Sequence, residues 1–257
     1  MISAINAALY LNQKKKKLNY KKIYPKNYVP TGFNPIFNVV KNLYSYYEFK
    51  KIDKIINFKI SKKILELGCG NGFLINKIAK NYKNSLCLGV DLGIKNYKSN
   101  NLTLINEKFE NLKKIKKFNA DIIILNNVIE HFENFKFIKK FFSILGRKTI
   151  VVILTPDVNS NARKSFSIFW SGYHSPRHNY VFSIKSFKRI CKSSNLKIKY
   201  FSKIFDPFTN FISLKNFIKA FYFLKNNNSL SNKFTLPLKI FDDILKKNRL
   251  FLLLEKI

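Results

Sequence analysis

The residues best placed to do chemistry lie in one short run, Ile64-Leu-Glu-Leu-Gly-Cys-Gly-Asn-Gly-Phe-Leu74. Apolar residues enter a loop that carries Gly68, Gly70 and Gly72, and apolar residues resume after it. Glycine serves turns that need a positive φ and backbone that must approach a ligand closely. A strand, a glycine loop and a helix N-terminus together make a nucleotide cradle. Two details point away from a pyrophosphate. The glycines are spaced G-x-G-x-G, and Glu66 sits two residues before the first of them. A carboxylate there repels a pyrophosphate but suits the α-amino cation of a methionine moiety. Asp91 follows Gly72 by 19 residues, at the end of a second apolar run, where a carboxylate takes both hydroxyls of a ribose. That acid serves NAD and adenosine ligands alike. Cys69, Leu92 and Asn126 complete the candidate cofactor contacts. Cys69 has no partner base in the sequence and reads as a small hydrophobe.

A second group follows later in the chain. The three histidines, His131, His174 and His178, all come after the fourth and fifth apolar runs. His131 closely follows the fourth run and is the candidate general base; the competing reading is a ring that packs beside that loop. Lys is the default cation here, with only five Arg residues, at 147, 163, 177, 189 and 249. A retained Arg points to a planar fork for a carboxylate or phosphate, so Arg163 and Arg177 are candidate substrate contacts, with structural ion pairs as the alternative. Trp170, the only Trp, either packs a lid or stacks on a substrate. The three cysteines are too few and too scattered for a disulfide framework or a zinc site, and no metal is expected.

Alternating elements must position these groups. Strands are expected at residues 62–67, 86–90, 102–105, 121–125, 149–154 and 196–201, with helices at 36–57, 73–80, 135–145 and 183–194. Strands separated by helices predict a parallel sheet covered on both faces, with its ligand crevice at the strand ends. Residues 1–34 read as a basic arm and 35–257 as one domain, with a helical insertion at about 203–236. Within the insertion, residues 208–224 place Phe, Leu and Ile at helical spacing with Lys between them. That pattern reads as a helix facing the core or a dimer partner, or as a basic amphipathic helix on an anionic membrane.

The motifs resemble those of class I S-adenosylmethionine-dependent methyltransferases. "ILELGCGNGFL" is similar to their first motif and "LGVDLG" to their ribose-binding acid motif. "ADIIILNNVIEHF", residues 120–132, resembles the fourth-strand motif of a branch that includes ubiquinone-type and many small-molecule enzymes. Residues 155–191 resemble a bacterial subgroup marked by TP-[ND], W-x-G and P-R-H. The resemblance implies an α/β Rossmann-like sheet of seven strands, mostly parallel, with the last strand, at 250–255, antiparallel. It implies S-adenosylmethionine as cofactor and methyl transfer, O-methylation foremost, to a small or lipid-linked acceptor. Arg163, Trp170, His174, Arg177 and His178 are then expected to form the acceptor pocket, with His131 opposite. The family's usual carboxylate against the adenine amine has only Glu107 as a candidate, and Phe109 is the candidate for the adenine face.

Composition separates the competing classes less sharply. The chain has 257 residues, 46% of them hydrophobic, enough for a real core. Its 48 Lys and Arg against 14 Asp and Glu give +34, spread along the whole length. The abundance of Lys, Asn, Ile, Phe and Tyr fits an A/T-rich coding bias; attraction to an anionic partner is the other reading. An RNA methyltransferase and a non-catalytic S-adenosylmethionine-binding module are the two alternatives. Nucleic acid is disfavoured because Cys191 has no adjacent Pro and because Asn126-Asn-Val-Ile replaces the Asn/Asp-Pro-Pro-Tyr type of motif. With no apolar run near the ~18–20 residues of a span and no secretory signal, a cytoplasmic protein is expected, with a peripheral position at the inner membrane as the alternative.

Overall fold

The computed structural model describes residues 35–56, 62–174, 176–226, 243 and 245–257. The expected basic arm at 1–34 and the later part of the insertion lie outside the described residues. The described chain begins with helix α1 (Pro35–Asp53), entered at a proline whose fixed φ suits a first helical turn. The sheet then alternates with helices: β1 (Lys63–Leu67), α2 (Phe73–Asn81), β2 (Leu86–Asp91), β3 (Tyr97–Lys98), β4 (Leu102–Asn106), α3 (Leu112–Phe118) and β5 (Ile122–Asn126). It continues with α4 (Phe135–Ser143), β6 (Ile150–Pro156), α5 (Asn161–Phe166), α6 (Ile184–Ser194), β7 (Leu196–Ile204), α7 (Pro207–Asn226) and β8 (Arg249–Lys256).

Sheet order is β3-β4-β2-β1-β5-β6-β8-β7. The sheet therefore has eight strands, not the seven expected. The addition is the two-residue β3, antiparallel to β4 at the edge, which is too short to leave a period-2 signal. β8 lies between β6 and β7 and runs antiparallel to both, as expected for the last strand.

Period-2 alternation divides the core in two. Leu65, Leu67, Val151, Ile153, Leu250 and Leu252 pack in one cluster with Phe141 and Phe142 of α4 and Phe187 of α6. Ile64, Val152, Leu154 and Phe251 face the other way, onto Ile75 and Ile78 of α2 and Phe49 and Ile52 of α1. Both sheet faces are thus covered, which is why the strands read as continuous apolar runs. The chain is poor in glycine, and Asn119 and Asn195 close α3 and α6 in the left-handed conformation that glycine more often supplies.

The strand order reverses between β1 and β5, where the chain leaves the sheet on opposite sides and opens a crevice. Ser183 caps α6 through a reciprocal pair with Ser186 and holds that helix under the sheet. α7 carries part of the expected insertion helix. Its Phe217 packs edge-on against Phe166 and Phe169, so this residue faces protein, whereas Phe211 is 67% and Ile212 43% exposed.

Candidate functional site

A cavity of about 400 Å3 sits over the ends of β1, β2, β5 and β6. Its floor is the loop after β1. Gly68, Gly70 and Gly72 all have positive φ, 62°, 58° and 74°. A side chain at Gly68 would drive its Cβ into Cγ2 of Val128, on a backbone already at positive φ, so this position favours glycine. Gly72 starts α2 in the left-handed conformation and offers no side-chain cap. Glu66 supplies one from the strand: its Oε2 accepts the Ile75 N–H at 3.0 Å. Asp91, at the end of β2, is locked to the same loop, with Oδ2 accepting the Gly70 N–H at 2.8 Å.

Burial, with Glu48 and Asp91 adding negative potential, pushes the Glu66 carboxyl well above the usual carboxylate range. Burial also raises Asp91, to about 6, against the pull of the Gly70 N–H and Lys41. The Cys69 thiol is pushed up by burial and by these two acids, which leaves it an inert wall residue. Leu92 and Phe109 line the same end; Phe109 lies nearly parallel to Phe132, with ring centroids 5.7 Å apart. Glu107 is not among the cavity's lining residues.

The far end of the cavity is formed by irregular segments. Short 3-10 turns carry Ile129–His131 after β5 and Ser171–Tyr173 after β6. They bring His131, His174, Arg177 and His178 to one wall. His131 and His178 meet edge to face with centroids 4.7 Å apart, and His174 and His178 with centroids 5.0 Å apart. Burial is the largest influence lowering both His131 and His178, each to about 4. His174 is held at φ 34°, an unusual backbone for a bulky residue.

Two expected acceptor-pocket residues lie outside the cavity lining, each in its structural reading. Trp170 is 1% exposed, packed with Ala162 and Phe166, and its ring occupies the space a side chain at Gly172 would need. It buttresses the loop and does not line the cavity. Arg163 lies outside the lining as well; its Nε donates to the Tyr173 hydroxyl at 3.2 Å. Asn126 does reach the cavity, but both ends of its amide are engaged: Nδ2 donates to Glu48 at 2.9 Å and Oδ1 accepts from Arg249 at 2.5 Å.

That last pair reveals a wall the sequence reading missed. Lys41, Tyr44 and Glu48 of α1, Asp206 before α7 and Arg249 at the start of β8 close the side of the cavity. Arg249 is fully buried, with Nη1 2.7 Å from Glu48 and Nε 3.9 Å from Asp206. Burial works against its charge, and the potentials of Tyr44, Glu48 and Asp206 more than offset it, so its pKa rises. The rule that singled out Arg163 and Arg177, an Arg kept where the chain writes Lys, applies equally to Arg249.

The donor set fits S-adenosylmethionine on charge as well as shape. Among the described residues, four of the chain's 14 acids line the cavity, Glu48, Glu66, Asp91 and Asp206, against three of its 48 Lys and Arg residues. In a chain of +34 this is a local concentration of carboxyl groups, suited to a ligand that carries a sulfonium and an ammonium, whose positive charge favours their ionised forms. A Rossmann-like sheet with a glycine loop, two acids at adjacent strand ends and a cation-accepting cavity defines the S-adenosylmethionine-binding class. Residues 43–200 match the family described as a methyltransferase domain, and the chain belongs to it. The protein is an S-adenosylmethionine-dependent methyltransferase.

Solved structures agree on the fold. A cyclopropane-fatty-acyl-phospholipid synthase-like protein from Lactobacillus casei superposes with a TM-score of 0.59 at 14% identity, over 93% of this chain and 100% of that one. The plantazolicin methyltransferase BamL, in complex with a triazolic desmethylPZN analog and SAH, gives 0.51 at 16% identity, over 87% and 91%. An O-methyltransferase family protein from Burkholderia thailandensis gives 0.50 at 12% identity, over 65% and 55%. No curated protein matches this chain in sequence. No described helix is long and apolar enough to cross a membrane.

Proposed function

We propose that this enzyme methylates an oxygen of a small or lipid-linked metabolite, with the acceptor bound at the histidine end of the cavity. The observation that carries the reading is the convergence of the chain's three histidines and Arg177 on the lining of the cavity that also holds Glu66 and Asp91. S-adenosylmethionine supplies a methyl group already activated by its sulfonium. The protein's part is to align the acceptor oxygen and to promote loss of its proton. Asp91 and the glycine loop hold the nucleoside end, and Glu66 favours the ammonium. His131 is the residue on which proton loss depends, and Arg177 orients an acidic group of the acceptor.

The lipid-linked form of the reading draws on the rim. Phe211 and Ile212 on α7 and Leu43 on α1 are exposed, and Ile212 also lines the cavity. An apolar rim with Lys215 and Lys219 on the same helix suits an anionic bilayer surface. Flotation with vesicles of increasing anionic lipid content tests it: binding should grow with anionic lipid and fade with salt. Equal flotation of the Phe211→Glu, Ile212→Glu double variant would rule out this rim as the anchor, and absence of flotation by the wild type would leave the small soluble acceptor as the reading. For the reaction itself, His131→Ala should lower turnover by ~10²–10⁴-fold while S-adenosylhomocysteine affinity stays unchanged. Full turnover in that variant would sink the assignment.

A further inference from the structure

Three side chains at the acceptor end form a donor set that aligning an acceptor does not by itself require. Glu130, His131 and His178 each offer one donor atom, and these atoms lie within 4.8 Å of one another. Two of the chain's three histidines are in this set. Both rings are fixed in the same manner. Nδ1 of His131 is 3.1 Å from the Arg177 carbonyl oxygen, and Nδ1 of His178 is 2.8 Å from the Gly172 carbonyl oxygen. A carbonyl only accepts, so Nδ1 carries the hydrogen on each ring and Nε2 carries the lone pair. A carbonyl on the distal nitrogen is also how metal-ligating histidines are oriented and made better donors.

Glu130 supplies the third donor. It is 1% exposed, and its Oε2 accepts the Thr155 hydroxyl at 3.0 Å. Its Oε1 is buried with no hydrogen-bond partner among the described residues. A buried carboxylate oxygen left without a partner is costly, and a neighbouring cation is what relieves that cost.

We propose that Glu130, His131 and His178 bind a divalent metal ion of the zinc type, with a remaining coordination position open to the acceptor end of the cavity. Two imidazole nitrogens and one carboxylate oxygen are ligands that Zn2+ favours, and three protein ligands leave a fourth position for an exchangeable oxygen. Bonds of about 2.1 Å place tetrahedral donors about 3.4 Å apart, so the three atoms close by an ångström or so on loading. The inference rests on the acceptor end proposed above. There the ion would acidify a coordinated hydroxyl as a Lewis acid; the proton passes to solvent water, the oxygen takes the methyl group as the sulfonium S–CH3 bond breaks, and S-adenosylhomocysteine leaves, with His131 acting as a ligand.

The test uses full-length, tag-free protein, dialysed against a chelator and titrated with Co2+ and then Zn2+. One equivalent of Co2+ should bind with the visible ligand-field bands of a low-coordinate site, and Zn2+ should erase them. His131→Ala and His178→Ala should each weaken Co2+ binding by more than the roughly 10–100-fold that losing an orienting partner costs. Calorimetry with S-adenosylhomocysteine checks in each variant that the cofactor half is intact. Glu130→Gln carries the test if a histidine variant loses that binding. Absence of the bands in the wild type, or titrations unchanged in the variants, overturns the site and leaves the methyl-transfer reading standing. Equal turnover of metal-free and metal-loaded protein overturns the Lewis-acid role and returns His131 to direct proton abstraction.

Discussion

The two ends of the cavity are built on different plans. At the glycine-loop end, the lining acids and glycines fall between Glu66 and Leu92, within one β-α-β unit, and the acids are fixed by main-chain N–H groups: Ile75 for Glu66 and Gly70 for Asp91. At the histidine end, side chains from residues 131 to 178 are pinned by carbonyls of short 3-10 turns and loops, and the wall comes from α1, β8 and the start of α7. The first end is local and set by backbone; the second is assembled from distant segments and set by packing. Backbone-held acids make a general cofactor cradle, whereas the loop-borne end is the part a protein can vary to suit an acceptor.

The largest effect expected is on the long-range wall. Arg249→Met removes the guanidinium that pairs with Glu48 and lies near Asp206, and strips Asn126 of a partner. Breaking a buried pair in this way costs about 3–5 kcal/mol, to be read in denaturant unfolding with and without S-adenosylhomocysteine. A loss under about 1 kcal/mol would mean that the wall is not held by this network.

Gly68→Ala comes next and strikes the local end. The left-handed backbone costs about 1–2 kcal/mol, and the new Cβ meets a Val128 side chain that is stiff at χ1. Overpacking adds about 1–3 kcal/mol, and S-adenosylhomocysteine binding should fall with it. Undiminished binding by this variant would show that the loop does not require glycine here.

Asp91→Ala should weaken S-adenosylhomocysteine binding by about 1.5–3 kcal/mol, the range for hydrogen bonds to a charged group, with turnover at saturating cofactor much less affected. Calorimetry and a KM-against-kcat comparison check it. The same residue gives the pH dependence. Burial raises Asp91 to about 6, so the proton is bound below that pH and lost above it. The raised value makes the ligand-free fold lose part of its stability as pH climbs from the ordinary carboxylate range through about 6. The ionised form is the better acceptor for ribose hydroxyls. Cofactor affinity should therefore climb with pH up to about 6 and then level off, by at most about tenfold per pH unit. A flat profile from pH 5 to 8 would place the ribose elsewhere.

The smallest effect concerns Arg163, which bonds Tyr173 outside the cavity. Arg163→Lys should leave the acceptor KM unchanged and cost about 1 kcal/mol of stability or less, whereas Arg177→Lys should raise that KM because an ammonium lacks the planar fork. Equal KM changes in the two variants would erase the distinction drawn between them.

Much of the fold was legible because its cause is local. The apolar runs of β1, β2, β4, β5, β6 and β8 announce a sheet buried on both faces, and all were expected within about two residues of their observed bounds. The glycine loop and its acids were legible for a similar reason: positive φ and strand-end position are properties of a short stretch. The two-residue β3 and the seven-residue α3 are too short to show a period. Trp170 and Arg163 were misplaced because composition marks a residue as unusual without saying which way it points; the structure turns Trp170 into a small core beside α7 and Arg163 onto Tyr173.

The sequence by itself determined that a Rossmann-like sheet carries a glycine loop at Gly68, Gly70 and Gly72 with acids at the strand ends, Glu66 and Asp91, because alternation, glycine and strand-end acids act over a few residues. Only the tertiary structure decided that Glu48, Asp206 and Arg249 close the cavity, that Asn126 serves this wall, and that Glu130 meets His131 and His178. Glu48 and Arg249 stand 201 positions apart. No local propensity encodes such a contact; it exists because burying one charge is unfavourable until the chain brings a partner to it from far away.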